Sequence, residues 1–473
     1  LFREIKCDSL VANGPGVGRQ EVRRVLEVVS PIDGAVVATL AETSVAAVQA
    51  VVDAARAAQP GWARVPVVDR AAILDRWADA VEATGDEFAV SVAREMGMPL
   101  PLARLTQVEL VASVLRNTAA TVRGFAWTQQ HDGFGVHHVP AGVVAAITPW
   151  NMPVYQCATK LAPALAAGCA VVLKPSELAP TAASRFVELG WAAGLPAGVL
   201  GLVHGRGPTT GEALVSADGV DVVSFTGSVA AGARVGALAA ERIRRVALEL
   251  GGKSASIVLD DADVDDVLPR AVRAAFVNTG QACNAPTRLL YPRAAQARVE
   301  AAAVDTVARI RVGDPFAPGT DLGPLVSTAQ HERVTGFLDR ALAAGARPVA
   351  AGAELKAPYF APVVLADVAR DAEIAREEVF GPVLVLLPYD DDADAVALAN
   401  ATAYGLSAEV WGRDPARIAR LVNELRVGQV KVNGVRTRSR AGAPFGGFGR
   451  SGVGRELGEW GLLEFLEVKA VLA

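Results

Sequence analysis

The 473-residue chain lacks a surplus of positive charge. Its formal net charge is -5, and no basic run with interleaved aromatics occurs. Such a chain has no general attraction for phosphate backbones or anionic membranes, so nucleic acid is not expected as a partner. A membrane-length apolar stretch is also missing. The longest run, Leu161 to Leu173, contains Pro163 and Gly168 and is bounded by Lys160 and Lys174. It is too short to span a bilayer and reads as core. The opening residues, LFREIKCDSL, are charged early and carry no hydrophobic signal region. Four cysteines without a CxxC pair argue against a disulfide framework and suit a reducing compartment, with the cytoplasm fitting best.

Ligand signatures are missing too. No GxGxxG fingerprint stands at the first strand-helix turn, and Gly205, Gly207 and Gly211 imitate it only loosely, as a loop. A dinucleotide would therefore have to be held in another way. The acidic run Asp260, Asp261, Asp263, Asp265, Asp266 fails as a calcium loop, because the sixth and twelfth positions from Asp261 are Asp266 and Val272 rather than Gly and Glu. It reads as the start of a helix. His131, His137 and His138 have no cysteine ligand at zinc-like spacing and only Asp132 as a nearby carboxylate, so no metal is expected.

What is present is a chain long enough for two or three domains, with 51% hydrophobic residues to fill their cores. The first twenty or so residues, Cys7 among them, are irregular. Apolar Val45, Val48, Val52 and Ala55 then recur at helical spacing behind Ser44 as N-cap, with a stop expected at Pro60-Gly61. A second helix carries Leu74, Trp77 and Val81 on one face behind Asp69 as N-cap, and helices continue to about Gly124. Residues 125–140, with Phe125, Trp127 and Phe134, read as a projecting hairpin. From Ala141, β-branched runs near 143–147, 170–173, 199–203, 221–225 and 245–248 alternate with amphipathic helices, the pattern of a parallel α/β sheet.

Ligands of such sheets bind beyond the carboxyl ends of the strands. Three segments there are candidates: Thr148-Pro149-Trp150-Asn151, Lys174-Pro175-Ser176-Glu177, and Phe225-Thr226-Gly227-Ser228. The Asn151 amide can donate to an oxyanion, and Ser228 opens a helix whose N-terminus can receive phosphate. Taken singly, each is equally an ordinary turn or cap. Glu249, between leucines in VALELGGK, has the apolar setting that tunes a carboxylate toward general-base work. Cys283 lies in FVNTGQACNAPTR, whose turn-forming residues put it on a loop where a thiol can meet a ligand. A free cysteine can also be a small, inert hydrophobe, and this stretch alone leaves both readings open.

Together these residues resemble the aldehyde dehydrogenase superfamily, of the hydrolytic, non-CoA-acylating type. PWN at 149–151, KPSE at 174–177, FTGS at 225–228, ELGGK at 249–253, GQAC at 280–283, EEVFGPV at 377–383 and PFGGFGRSGVGRE at 444–456 match its motifs in order and at its spacing, from about residue 28 to the end. The resemblance implies two Rossmann-like parallel-sheet domains. The cofactor domain would be residues 1–118 and 140–250, the catalytic domain 251–450, and an oligomerisation arm 119–139 with 451–473, forming a homodimer or homotetramer. It implies oxidation of an aldehyde to the acid, with Cys283 as nucleophile, Asn151 and the Cys283 N–H holding the oxyanion, and Glu249 activating water. Lys174 and Glu177 would hold the adenosine ribose and Ser228 the pyrophosphate, Glu378 and Phe380 would position the nicotinamide ribose and ring, and Trp150 and Gly227 would also bind the cofactor. The Glu177 carboxylate would accept from a ribose 2′-hydroxyl and repel a 2′-phosphate, favouring NAD over NADP.

Two departures bear on the substrate. Met152, Gln156 and Thr159 on the helix after Asn151 make the entrance wider and more polar than in relatives that oxidise simple aldehydes. Arg436, Arg438 and Arg440 alternate where the family's substrate loop lies, so one of them can pair with a far carboxylate, as in a semialdehyde, or they can be solvated or form a salt bridge across a subunit interface. A CoA-acylating relative would generally lack the glutamate at 249. A cysteine hydrolase would want a histidine in a motif near Cys283, and a purely binding role leaves Cys283, Asn151, Glu249 and Glu378 unexplained.

Overall fold

A computed structural model describes residues 24–435 and 441–472. Cys7 and the three alternating arginines lie outside them. Strands β1 (Val25–Val29) and β2 (Val36–Ala41) form an antiparallel ribbon. Helices α1 (Val45–Ala63), α2 (Val67–Ala83), α3 (Gly85–Met96), α4 (Leu100–Arg104) and α5 (Leu110–Gly124) follow. Ser44 caps α1 through its hydroxyl, as expected. The helix nevertheless runs through Pro60-Gly61, and Trp62 anchors its last turn by burial and by donating from Nε1 to the Leu165 carbonyl (2.9 Å). The N-cap of α2 is Pro66, and Asp69 sits within the first turn, where it complements the helix dipole.

Hairpin β3 (Thr128–His131) and β4 (Phe134–Pro140) projects as the sequence suggests, and β4 pairs along its length with a C-terminal strand, Leu466–Leu472. Phe125 and Trp127 do not join the exposed face: both are half-buried against the main core, and Trp127 Nε1 donates to the Val122 carbonyl. The chain then enters a six-stranded sheet. Its parallel members are β5 (Val143–Ile147), β6 (Ala170–Lys174), β7 (Leu200–Leu202), β8 (Val222–Thr226) and β9 (Arg245–Glu249), in the order β9-β8-β5-β6-β7. β5, β6 and β8 are buried at every residue, which is why they read as unbroken apolar runs. The crossovers are α6 (Pro153–Ala167), α7 (Pro180–Ala192), α8 (Glu212–Ser216) and α9 (Val229–Ala240). The glycines at 207 and 211 bound a wide helical turn leading into α8 rather than an irregular loop.

After β9, residues 250–254 cross to a seven-stranded sheet containing β10 (Ala255–Val258), α10 (Val264–Ala275), β11 (Arg288–Pro292), β12 (Arg347–Ala351), β13 (Val363–Ala366), β14 (Val383–Tyr389), β15 (Ser407–Trp411) and β16 (Gln429–Val432). All its pairings are parallel except that of β12 with β13. The acidic cluster opens α10 as expected, with Asp263 at the cap and Asp265 and Asp266 in the first turn. Near the C-terminus, β17 (Gly452–Val453) returns to pair with β9, and β18 (Leu466–Leu472) is the strand that completes the arm. The chain is thus an α/β fold with two mainly parallel sheets and a small β arm. No helix among the described residues is long and apolar enough to cross a membrane.

Candidate active site

The order β9-β8-β5-β6-β7 reverses between β5 and β8, so a crevice opens beyond their carboxyl ends. Thr148 to Asn151 follow β5, and Gly227 and Ser228 follow β8. The segments just before β10, β11 and β14 carry Gly251–Lys253, Cys283 and Glu378. The carboxyl ends of one sheet thereby meet the amino ends of the other, and Trp150 packs edge-on against Phe380 with ring centroids 5.4 Å apart.

The cysteine loop is built from unusual backbone. Asn278, Thr279 and Gly280 are consecutively left-handed (φ 54, 57 and 72), a costly state for a β-branched threonine. Fixed partners hold it: Thr279 Oγ1 donates to Gly323 O (3.0 Å), and Val326 N donates to Gln281 Oε1 (3.0 Å). Asn151 Nδ2 donates to Gln281 O (2.9 Å), while Asn278 Nδ2 donates to Asn151 O (3.1 Å), so the asparagine after β5 is tied to the cysteine loop from both sides. One Asn151 N–H remains. Among the described residues the Cys283 backbone N–H has no acceptor.

Whereas Cys157 and Cys169 are buried, Cys283 is partly exposed. The protein packed around its sulfur pushes the thiol up to about 12, and Glu378, Glu249 and Glu456 add repulsion. At rest the group is therefore a thiol, and its proton needs an acceptor. Glu249, the last residue of β9, is held well above the usual carboxylate range by burial first and by Glu456 second, with Lys160 pulling the other way. Its Oε2 is buried without a hydrogen-bond partner. Lys160, 1% exposed, donates from Nζ to Glu456 Oε1 (2.7 Å) and to Ser224 Oγ (3.1 Å).

Glu378 accepts from Gly252 N (2.9 Å), and burial pushes it up to about 7. The crossing at residues 251 and 252 is tight: a Cβ on Gly251 would overlap the Glu378 carboxylate, and one on Gly252 the Cys283 carbonyl oxygen. Only glycine lets the three segments meet. Phe380 is left-handed (φ 60), its carbonyl accepting from Gln330 Nε2 (2.8 Å).

Farther along the crevice, Lys174 is buried at the end of β6, 3.6 Å from Glu177 Oε2 and donating to Pro175 O (2.9 Å). Burial lowers the lysine, and Glu177 raises it. Ser228 caps α9 by accepting from Ala231 N (3.2 Å). The Thr226 hydroxyl beside it is buried without a partner. A helix N-terminus, a buried cation beside a carboxylate, and an unspent hydroxyl along one edge fit a dinucleotide held without a GxGxxG loop.

Sequence reasoning missed Lys160, Tyr155 and Gln107, and quoted Glu456 only as the last letter of a motif. Gln107 is fully buried in the wide helical turn Leu105–Glu109. Its Oε1 accepts from Val154 N (3.0 Å) and Tyr155 N (3.1 Å), capping the start of α6 from outside, while its Nε2 donates to Thr106 Oγ1 (3.0 Å) and approaches Met152 Sδ (3.1 Å). Gln156 and Thr159 are buried on α6, with Thr159 Oγ1 donating to Gln156 O (3.1 Å). Among the histidines, His131 stacks on Phe134, and His138 lies edge-on to Phe125.

The profile of the aldehyde dehydrogenase family matches residues 17–471. Over 460 residues the chain is 41% identical to the 3-succinoylsemialdehyde-pyridine dehydrogenase of a Pseudomonas species, covering 96% of each. Its fold is similar to that of a mutant aldehyde dehydrogenase C from Pseudomonas syringae solved with NAD+ and octanal (TM-score 0.93, 42% identity, 95% and 93% of the two chains covered). It is also similar to betaine aldehyde dehydrogenase of Staphylococcus aureus in complex with NAD+ (TM-score 0.92, 31% identity, 95% and 91% covered).

Proposed function

The chain belongs to the aldehyde dehydrogenase family, and on that premise we propose that it oxidises an aldehyde to the carboxylic acid with NAD, through a covalent intermediate on Cys283. The observation that carries the reading is the gathering of a partly exposed thiol, a buried glutamate with a free oxygen, and an asparagine amide bonded to the cysteine's own loop. The Cys283 thiol releases its proton to solvent through the partly open site, which leaves Glu249 free for the later step. The thiolate attacks the aldehyde carbon, and the carbonyl oxygen becomes an oxyanion held by the Asn151 amide and the Cys283 N–H. NAD, when bound, supplies the acceptor for the hydride leaving that carbon. Cys283 then carries a thioester. Glu249 removes a proton from water, the hydroxide attacks the thioester, and Cys283 departs as the thiolate.

Lys174 and Glu177 would hold the adenosine ribose, and Gly227 and Ser228 the pyrophosphate. Trp150, Glu378 and Phe380 would meet the nicotinamide end. A carboxylate at Glu177 supports NAD over NADP. The six-stranded sheet with its helices is the cofactor domain in this reading, and the seven-stranded sheet the catalytic one. The arm would join a homodimer or homotetramer, since β18 leaves Val468, Val471 and Leu472 exposed on an edge strand. Cys157, Cys169 and Cys283, all free thiols, suit the cytoplasm.

The test is an aldehyde panel scored by NADH absorbance with the parent and Cys283→Ala. The variant keeps its fold and cofactor binding and makes no NADH. Turnover surviving in it would sink the covalent mechanism.

A further inference from the structure

The wall of the crevice formed by α6 carries polar groups that the protein does not use. Tyr155 is partly exposed in the first turn of α6, four residues after Asn151, and its phenol is pushed up by burial first and then by Glu456, Cys283 and Glu249. Its hydroxyl has no hydrogen-bond partner among the described residues, although its backbone N–H is bonded to Gln107. The next residue, Gln156, is 5% exposed, and its Oε1 is fully covered without a donor. Buried acceptors are rarely left so. Gln156 lies one helical turn before Lys160, whose ammonium meets Glu456 beside Glu249, so both side chains share the stripe of α6 that faces the site. Three polar groups on or beside this helix already have partners elsewhere. Lys160 bonds Glu456 and Ser224, Thr159 bonds the Gln156 carbonyl, and Gln107 uses both ends of its amide.

We propose that the aldehyde accepted here carries a hydroxyl on its chain, and that Tyr155 and Gln156 select it by hydrogen bonding. This rests on the active-site reading above and deepens it by naming the substrate's class. A hydroxyl on the substrate satisfies both partners, accepting from Tyr155 or the Gln156 amide N–H and donating to the Gln156 oxygen. An alkyl chain in the same place leaves both unpaired, and sites built to bond a hydroxyl reject the analogue lacking it far more strongly than apolar pockets reject a changed methylene.

Glyceraldehyde and propanal, matched in carbon number, provide the test. The ratio of their kcat/KM values, each corrected for the fraction present as free aldehyde, is measured for the parent, Tyr155→Phe, Gln156→Leu and the double variant. The parent favours glyceraldehyde by about 10²-fold. Each single change lowers that ratio about tenfold, and the double change brings it near one. A parent ratio within about threefold of one overturns the proposal. So does a ratio preserved in the double variant while both rates fall together, which would make the two side chains structural. If neither aldehyde gives NADH that depends on Cys283, the failure belongs to the active-site reading beneath the proposal.

Discussion

Replacing Lys160 by methionine keeps the length of the side chain and removes its charge, leaving Glu456 buried without the ammonium now 2.7 Å from its Oε1. Both members are almost fully covered, at 1% and 5% exposure. Breaking such a pair from one side costs about 3–5 kcal/mol, because the remaining charge has lost its compensation. With an unfolding entropy of about 2 cal/mol/K per residue, a chain of this length unfolding as one unit loses about 1 °C per kcal/mol, so the melting temperature falls by about 3–5 °C. The double variant Lys160→Met with Glu456→Gln regains most of the loss. There is also a signature in pH. Glu249 is raised in the folded state, so the native protein holds a proton that the unfolded chain has released, and stability falls as pH rises from the unfolded value toward the folded one. Losing Lys160's pull raises Glu249 further. That extends the window upward and moves the pH midpoint of thioester hydrolysis to higher pH. Melting curves and single-turnover hydrolysis followed across a pH series read both effects. A variant that melts with its parent and hydrolyses with the same midpoint refutes the electrostatic coupling.

Glu249→Gln should still give a burst of NADH, with steady turnover about 10²-fold or more below the parent's, because acyl transfer to Cys283 precedes the step that needs the base; losing the burst as well would move Glu249 to thiol activation. In parent enzyme the hydrolysis rate should rise with pH as this carboxyl loses its proton, and a flat profile would remove it as the base. For cofactor choice, kcat/KM should favour NAD over NADP by about tenfold or more, since a 2′-phosphate at Glu177 meets a like charge; an NADP preference would mean that Lys174, 3.6 Å away, dominates. Gly252→Ala should lose most activity, because the added methyl overlaps the Cys283 carbonyl oxygen, and a variant with normal kinetics would show that the crossing can relax.

The central strands of the first sheet were readable because they are buried on both faces and carry no competing period. Local rules failed where tertiary contacts outweighed them. Trp62 extends α1 past its proline, Pro66 displaces Asp69 as the cap, and Phe125 and Trp127 turn inward because a core face is within reach. The cysteine, the glutamate and the asparagine stood in motifs, and the structure ties Asn151 to the cysteine's own loop. Lys160 and Glu456 are separated by 296 residues, and nothing in either neighbourhood announces the other. Gln107 was equally silent, since its task exists only once a wide turn aims it at a helix that starts 46 positions later.

That wide turn separates the mounting of the proposed substrate wall from its lining. The first turn of α6 is seated by an amide belonging to a different stretch of chain, so residues such as Tyr155 and Gln156 can be exchanged without loosening the fixture that locates them. Changing the fixture is another matter. Removing a single residue from Leu105–Glu109 would return the turn to ordinary α-helical pitch and swing Gln107 by about 100°, and every side chain on the wall would lose its reference point at once.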